Sequence, residues 1–345
     1  MTTRPFWSAD RHSDRRPALL ARGRIKRALR AWFDEQGYVE VECGALCTSP
    51  GNEAHLHAFT TELRTTAGEG RTVYLHTSPE FAAKKLLAAG EQRIFEFARV
   101  FRNRERSALH APEFTMLEWY QAGASCAQAM ADTLTLVRLA ARTLGTKEFV
   151  FRGHVCDPFA AAQIMTVAEA FSRFAGIDLL ASLGPRGEGN RSLLAQAAIS
   201  AGHIVADDDT WADIFSKLLV GFIEPHLGED CLTLLCEYPR CEAALARPSP
   251  NDPRVAERFE LYACGVELAN GFGELTDATE QRQRFEMEMT EKSRIYGERY
   301  PLDEDFLAAL ACMPPASGVA LGFDRLCMLA TRARSIDDVI WTPAP

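Results

Sequence analysis

The sequence has 345 residues, a net charge of −9, an apolar fraction of 47% and a charged fraction of 25%. These values are typical of a globular protein with a large core, and they disfavour nucleic acid as the main partner, since phosphate binding needs a basic surface. No apolar run reaches the roughly 20 residues of a membrane span, and the first residues do not resemble a signal peptide. We therefore expect a cytoplasmic protein with no membrane partner.

The amino-terminal part predicts an amphipathic helix from about Pro17 to Gln36. Ile25, Leu29 and Phe33 recur at helical spacing, and Gly37 supplies a left-handed stop. The same stretch carries a run of basic residues: Arg11, Arg15, Arg16, Arg22, Arg24, Lys26, Arg27 and Arg30. We interpret this run as the solvated face of the helix, and an acidic docking partner is the alternative.

A second helix begins at a Ser-Pro-Glu corner. Ser78 is a typical N-cap, Pro79 suits the first helical position, and Glu80 complements the helix dipole. The helix is predicted to end at Gly90, and a short strand, residues 73–75, precedes it. Glu80 either serves the dipole alone or presents its carboxylate to a ligand.

Residues 94–102 and 114–120 alternate between apolar and other side chains and predict two strands joined by a charged loop. Alternation places Glu118 and Tyr120 on the same strand face as Phe114. The loop between the strands carries Arg104, Glu105, Arg106 and His110. Such groups are costly to bury unpaired, so the pattern indicates a site; the alternative is a solvated hairpin tip.

The middle third, residues 162–227, has a helical pattern interrupted by a glycine-rich loop, and a strand is predicted near residues 231–237. Asp207, Asp208 and Asp209 are more typical of a loop before a helix than of a cation site. The ten cysteines show no zinc-binding spacing, so reduced thiols are expected.

Residues 259–277 predict a hairpin that turns at Cys264 and Gly265. In that register Glu260 and Glu267 share a face of adjacent strands. Two neighbouring carboxylates need a cation, and Mg²⁺ bridging a nucleotide is the obvious candidate.

The second strand of this hairpin carries further polar residues. Asn270 and Glu274 flank Gly271 and Gly273, where absent side chains let a ligand approach the backbone. We interpret the strand as a pocket wall that contains a carboxylate. The alternative is an edge strand loosened by glycine.

The last informative stretch, residues 317–330, predicts a strand that runs into a helix beginning near Asp324. Arg325 then lies in the first helical turn, where the dipole disfavours a cation by about 0.3 to 1 kcal/mol. Its planar guanidinium binds phosphate oxygens well. The placement therefore indicates a phosphate contact.

In combination, the segments FRN, HAPEFTMLEWY, GVELANGFGELTDA and GVALGFDR resemble the class II aminoacyl-tRNA synthetases. The resemblance is to motif 2, the strand pair before motif 3, and motif 3 of the lysyl branch, in particular its paralogues that modify elongation factor P. It covers about residues 17–341.

The resemblance implies an α+β fold with an antiparallel sheet of six or seven strands flanked by helices. It implies one catalytic domain over residues 1–345, with a mainly helical insertion at about 160–228 and no anticodon-binding OB-fold. A homodimer through residues 22–46 is also implied.

The implied reaction uses ATP and Mg²⁺ to activate lysine or (R)-β-lysine as an acyl-adenylate, and then transfers it to a lysine of elongation factor P. tRNA is not expected as an acceptor. Carried over from the family, the amino-acid pocket is Ser78, Pro79, Glu80, Glu118, Tyr120, Asn270, Glu274 and Ala320. The ATP contacts are Arg102, Asn103, Glu105, His110, Phe114, Glu267, Leu268, Gly322 and Arg325, of which Arg102 and Arg325 are catalytic. The Mg²⁺ ligands are Glu260 and Glu267.

The sequence departs from the family pattern at Gly44, Arg104, Ala111 and Gly273. These departures concern the dimer interface, adenine recognition and the pocket, and they leave both catalytic arginines in place. Two alternatives stay open at this point: a truncated lysyl-tRNA synthetase that charges tRNA, and a non-catalytic regulatory paralogue. Ala320 argues against the first, since glycine is general at the matching position of true lysyl-tRNA synthetases.

Overall fold

The computed structural model describes residues 5–345. Its helices are α1 (Ala9–Glu35), α2 (Glu80–Ala88), α3 (Cys126–Leu144), α4 (Val167–Ala170), α5 (Arg191–Ser200), α6 (Trp211–Leu218), α7 (Ala278–Tyr296), α8 (Glu304–Leu310) and α9 (Phe323–Thr331). Its strands are β1 (Val39–Glu40), β2 (Leu46–Cys47), β3 (Thr60–Arg64), β4 (Gly70–Leu75), β5 (Arg93–Phe101), β6 (Glu113–Ala122), β7 (Phe149–Phe151), β8 (His154–Asp157), β9 (Gln163–Thr166), β10 (Asp230–Cys231), β11 (Thr233–Cys236), β12 (Arg258–Ala263), β13 (Val266–Gly273) and β14 (Ala316–Gly322).

The chain divides into two compact units. The first comprises Met1–Gly123, Leu139–Thr146 and Thr276–Pro345, and the second comprises Ala124–Arg138 and Lys147–Leu275. Within residues 5–345, no helix is both long enough and apolar enough to cross a membrane. The single-domain organisation with an insertion stays a prediction.

In the first unit, strands β1, β5, β6 and β14 lie side by side in that order. β6 pairs antiparallel with both β5 and β14, which confirms the predicted strand pair at residues 94–120. β1 pairs parallel with β5. A separate antiparallel sheet has the order β2, β4, β3.

In the second unit, β13, β12, β11 and β9 lie in that order, and β9 pairs parallel with β11. The α+β class is confirmed, but the sheet strands are mixed in direction, so the expectation of a wholly antiparallel sheet is wrong. Residues 163–166 were expected to be helical and instead form β9, because they pair along β11. Helices α4, α5 and α6 follow within the predicted insertion.

Helix α1 begins at Ala9, eight residues before the predicted start, and Pro17 lies inside it. Its apolar face packs on the first unit's sheet, where Phe33 stacks on Phe95 at 4.3 Å between ring centroids. Phe33, Ile25 and Leu29 are fully buried. Each such side chain contributes about 1.5 to 3 kcal/mol of hydrophobic free energy, which fixes α1 on the sheet.

Candidate functional site

Glu118 is the centre of a polar cluster in the first unit. It lies on β6 among apolar neighbours, and only 1% of its surface is exposed. Ser78 Oγ donates to Oε1 at 2.7 Å, and the Tyr120 hydroxyl donates to Oε2 at 2.6 Å. Burial raises the pKa of Glu118 to about 8, and the two hydrogen bonds and the charge of Arg102 oppose the rise. The cluster is therefore a buried acid that a cationic ligand would ionise.

The predicted helix start positions this cluster. Ser78 Oγ accepts a hydrogen bond from the Glu80 backbone N–H at 3.0 Å, although α2 begins at Glu80 with Pro79 as the preceding cap residue. Ser78 therefore holds both the helix start and the Glu118 carboxylate. β14 pairs with β6, and Ala320 of β14 lies directly across from Glu118 in the strand register.

Glu80 has a basic partner that the sequence interpretation missed. Lys84, which is 1% exposed, donates to Glu80 Oε1 one helical turn away. The sequence analysis gave Glu80 only the helix dipole or a ligand as partners and did not identify Lys84. The signal was present in the sequence, because residues four apart on a helix are neighbours.

Arg102 follows directly after β5. Its Nε donates to the Thr77 carbonyl at 3.3 Å, and its guanidinium lies 5.4 Å from the centroid of the Phe114 ring. Its charge lowers the pKa of Glu118 against the larger effect of burial. The guanidinium is thus placed beside both the acidic pocket and an aromatic face.

Arg325 and His110 form a second polar pair. Arg325 Nη2 donates to His110 Nε2 at 2.8 Å, and His110 Nδ1 lies 2.8 Å from Ser107 Oγ. Because an arginine can only donate, His110 Nε2 accepts and the ring is neutral, with its proton on Nδ1. Burial and the neighbouring Arg325 lower the pKa of His110, in agreement with a neutral ring. Arg325 lies in the first turn of α9, after the cap residue Gly322, as predicted.

The loop that begins at Asn103 explains one departure from the family pattern. Arg104 has a left-handed backbone with φ of 65° and forms an ion pair with Glu298. The Asn103 N–H donates to the His57 carbonyl at 2.7 Å, and His57 Nδ1 lies 3.0 Å from Glu298. The ion pair of Arg104 with Glu298 therefore connects the start of the loop to the segment after α7. Glu105 raises the pKa of His110 through its charge, against the larger effect of burial.

A second departure, Ala111, also has a packing reason. The residue is fully buried in a small cluster with Ile336 and Ile340. A polar amide in place of its methyl group would need room and a hydrogen-bond partner in this apolar contact.

In the second unit, Glu260 of β12 is held by three donors. Arg258 Nη2 donates to Oε1 at 2.5 Å, and the hydroxyls of Tyr238 and Tyr262 donate to Oε2 at 2.6 Å each. Burial, and then the Glu260 charge, raise the pKa of both tyrosines well above its usual value. Glu260 therefore also has a basic partner, Arg258, which the sequence analysis did not identify.

The predicted hairpin is confirmed. Cys264 and Gly265 have φ of 54° and 67°, as a type I′ turn requires. In the strand register Tyr262 pairs with Glu267, and Glu260 pairs with Asn270. A β-bulge lies between these two pairs, and Leu268 is its extra, unpaired residue. The extra residue keeps Glu267 and Asn270 on the face that Glu260 occupies.

Two further second-unit residues were predicted in the pocket wall. Glu274 is 1% exposed and lies next to Ala246 in an isolated bridge. Gly273 has a steric reason: an added Cβ would lie 2.2 Å from Glu257 Oε2, which pairs with Arg247 at 2.5 Å. The histidine that the family often carries here would have to displace this ion pair.

Across residues 5–345, no group of three or more His, Cys, Asp or Glu side chains is arranged to hold a metal. Glu260 and Glu267 nevertheless share a strand face. Mg²⁺ in nucleotide sites uses one or two protein carboxylates and completes its shell with phosphate oxygens and water. The two glutamates do not form an all-protein metal site. Both oxygens of Glu260 accept hydrogen bonds from Arg258, Tyr238 and Tyr262, so Glu260 would join a Mg²⁺ shell only by exchanging one of these donors.

Comparisons with known proteins identify the family of this chain. A family model described as tRNA synthetases class II (D, K and N) matches residues 3–344. The chain is 39% identical over 324 residues to a protein of Haemophilus influenzae named elongation factor P--(R)-beta-lysine ligase, covering 93% of each chain. Proteins with the same name are 39% identical over 326 residues in Pectobacterium atrosepticum and 38% identical over 328 residues in Salmonella paratyphi B. The chain belongs to the class II tRNA synthetase family of the D, K and N type.

Proposed function

We propose that this protein is an ATP-dependent ligase that activates (R)-β-lysine, or lysine, as an acyl-adenylate and attaches it to a lysine side chain of elongation factor P. The observation that carries the proposal is the buried Glu118, held by Ser78 and Tyr120 and faced by Ala320 across the strand pair. Among residues 5–345, the hydrogen-bond donors to this buried acid are the uncharged Ser78 and Tyr120, which suits a substrate that brings ammonium groups. The names of the relatives supply the identity of the acceptor.

Activation begins when a carboxylate oxygen of the amino acid attacks the α-phosphorus of ATP. The bond from the α-phosphorus to the bridging oxygen breaks and pyrophosphate leaves. Arg102, beside Glu118, would stabilise the charge that develops on the α-phosphate, and Phe114 would stack on adenine. Arg325, oriented by neutral His110, would hold the γ-phosphate. Glu260 and Glu267 would hold Mg²⁺, which would supply positive charge against the triphosphate.

Recognition of the amino acid would depend on carboxylates. Glu118 would bind one ammonium group, and Glu80, whose charge Lys84 already balances in part, would bind the other. In the second unit, Asn270 Oδ1 is buried and finds no hydrogen-bond partner among the described residues, so it is an acceptor available to an ammonium group. Glu274 would complete the set.

Transfer follows when the deprotonated amine of the acceptor lysine attacks the acyl carbon. An amide bond forms, the bond from the acyl carbon to the AMP oxygen breaks, and AMP leaves. The proton of the attacking amine would pass to solvent or to the phosphate. A homodimer through residues 22–46 and a cytoplasmic location complete the proposal.

Activation is tested by exchange of pyrophosphate into ATP with α-lysine and with (R)-β-lysine. We expect exchange with both, faster with the β-isomer. Arg102→Ala should lower the rate by about 10² to 10³, the usual cost of removing one donor to a developing oxyanion. The matched control is Arg99→Ala, which removes an exposed arginine paired with Glu113 at 3.4 Å and should leave exchange unchanged. Absence of exchange with either amino acid would contradict the proposal.

The alternative of a truncated lysyl-tRNA synthetase predicts a different acceptor. A parallel reaction with lysine-specific tRNA separates the two, because the proposal predicts no aminoacyl-tRNA at enzyme concentrations that give full exchange. Charging of tRNA at a rate comparable to activation would favour the alternative.

A further inference from the structure

A cavity of about 790 Å³ opens in the first unit, apart from the residues assigned to the active site. Its walls come from the first half of α1, the end of α3, the end of α9 and the segment that follows α9. This volume lies within the range of small-molecule sites, about 300 to 1,000 Å³.

Arg15 of α1 lines this cavity and is only 4% exposed. Its Nη2 donates to the Asp337 carbonyl at 2.8 Å and also to the Ile340 carbonyl. Its Nε and Nη1 are buried and have no hydrogen-bond partner among residues 5–345. A buried cation with two unmet donors costs free energy that a bound anion would recover.

The surrounding charges also favour an anion. Arg332 and Arg334 line the cavity with Arg15, whereas Asp14 and Asp338 supply the carboxylates of the wall. Burial and the charge of Arg11 lower the pKa of Arg15, and the charges of Asp338 and Asp337 oppose this only in part. Cations therefore outnumber carboxylates in the wall, and the carboxylates leave two donors of Arg15 unmet.

The carboxy-terminal end of α9 does not supply the missing acceptors. The Ala330 carbonyl accepts from Thr146 Oγ1 at 2.8 Å. The Leu329 and Met328 carbonyls accept from the backbone N–H groups that follow, at 3.1 and 2.9 Å. These three carbonyls are thus already bonded, and an anion in the cavity would supply acceptors for the two unmet donors of Arg15.

We propose that this cavity binds an oxyanion, the phosphate or carboxylate group of a small molecule, through Arg15 with Arg332 and Arg334. The planar guanidinium offers two parallel N–H groups to such a group. The proposal is independent of the ligase reaction.

The test is isothermal titration calorimetry with inorganic phosphate and, separately, with acetate, each against chloride at equal ionic strength. Arg325→Ala is the background, because it weakens the expected triphosphate site and leaves the cavity intact. We expect saturable binding in this background and a loss of at least tenfold in affinity on adding Arg15→Gln. Preference for phosphate or for acetate identifies the class of the natural ligand.

Arg15→Gln also removes the bonds to the Asp337 and Ile340 carbonyls, so a second variant guards against unfolding. Arg332→Ser with Arg334→Ser changes only exposed residues and should weaken binding several-fold. The matched control, Arg64→Ser with Arg71→Ser, removes two exposed arginines that lie outside both the cavity and the proposed dimer interface and should not weaken binding. No saturable binding of either anion, or equal losses in variants and control, would overturn the proposal.

Discussion

Ala320 lies directly opposite Glu118 in the antiparallel pairing of β14 with β6. Residues so paired have Cβ atoms about 4.5 to 5.5 Å apart and share a face of the sheet. The Ala320 methyl group packs with Ala98, Val100 and Met116 beside the acid. It therefore limits the space next to the carboxylate that would bind the substrate ammonium group.

Replacing Ala320 by glycine should shift selectivity from (R)-β-lysine towards α-lysine. One methyl group in a pocket is worth about 1 to 3 kcal/mol, a change of roughly 10- to 200-fold in the ratio of kcat/KM values. Pyrophosphate exchange with each isomer measures this ratio. Ala316→Gly, in the same strand, controls for loosening of β14; an equal shift in that variant would contradict a direct role for the Ala320 methyl group.

Binding of the amino acid should become tighter as pH rises from about 6 towards 8. Burial raises the pKa of Glu118 to about 8, so below that pH the acid is protonated and must lose its proton to bind an ammonium group. The affinity should rise by up to tenfold per pH unit and level off above pH 8. Glu118→Gln should bind weakly at every pH. A wild-type affinity that is flat across this range would contradict the assignment.

The raised pKa of Glu118 also predicts that the stability of the fold falls as pH rises, whereas the affinity for the amino acid rises. The folded protein binds the Glu118 proton more tightly than the unfolded chain, whose carboxyl keeps a pKa near 4.5. The contribution of Glu118 to the free energy of unfolding therefore falls as pH rises from about 4.5 to 8. Glu118→Gln should unfold at a higher urea concentration than the wild type at pH 8, with a smaller difference at pH 5.

Removing one partner of the buried ion pair between Arg22 and Asp324 should strongly destabilise the first unit. Arg22 Nη1 contacts Asp324 Oδ1, its Nη2 donates to Thr115 Oγ1 at 2.8 Å, and Asp324 Oδ2 accepts from the Thr115 N–H at 2.8 Å. Arg22→Met leaves a buried carboxylate unpaired and should cost about 3 to 5 kcal/mol. Urea unfolding measures the loss.

The exposed pair of Arg30 and Glu40, 2.6 Å apart, is the matched control. Arg30→Met should cost less than about 1 kcal/mol, because solvent screens exposed pairs. Equal losses in the two variants would show that burial of the Arg22 pair has no special effect.

Adding a methyl group at Gly273 should destabilise the second unit only slightly. The new Cβ would lie 2.2 Å from Glu257 Oε2 and 2.8 Å from Arg247 Nε, but both atoms are the ends of flexible, partly exposed side chains, so the ion pair can shift at a cost below about 1 kcal/mol. Gly228→Ala should cost more, about 1 to 3 kcal/mol, because its new Cβ would lie 2.4 Å from the backbone Cα of Ala263. Thermal unfolding of both variants makes the comparison, and a larger loss in Gly273→Ala would contradict this account.

Short-range patterns in the sequence were sufficient for the elements that carry the candidate site. The β6 strand and the Cys264–Gly265 turn depend on neighbouring residues, and the structure confirms both. The helix after Ser78 was also predicted, but its start was placed one residue early, because Pro79 and not Ser78 is the cap residue. The parallel pairing of β9 with β11 depends on residues about 70 positions apart. No local period reports such a pairing, so residues 163–166 were mistaken for helix.

The sequence analysis mainly missed the hydrogen-bond and ion-pair partners of the buried polar residues. Lys84 was detectable by its spacing from Glu80, whereas Tyr238 reaches Glu260 from 22 residues away. Arg15 was assigned to a solvated helix face, yet it is buried because the segment after α9 covers it with the Asp337 and Ile340 carbonyls. Those carbonyls come from the opposite end of the chain.

The central claim is transfer of the activated amino acid to a protein. It is tested most directly by intact-mass spectrometry of purified elongation factor P after incubation with this protein, ATP, Mg²⁺ and (R)-β-lysine. We expect the mass of the factor to rise by one lysyl group, more slowly with α-lysine and about 10²- to 10³-fold more slowly with Arg102→Ala. An unchanged mass, under conditions where pyrophosphate exchange shows full activation, would contradict the assignment of elongation factor P as the acceptor.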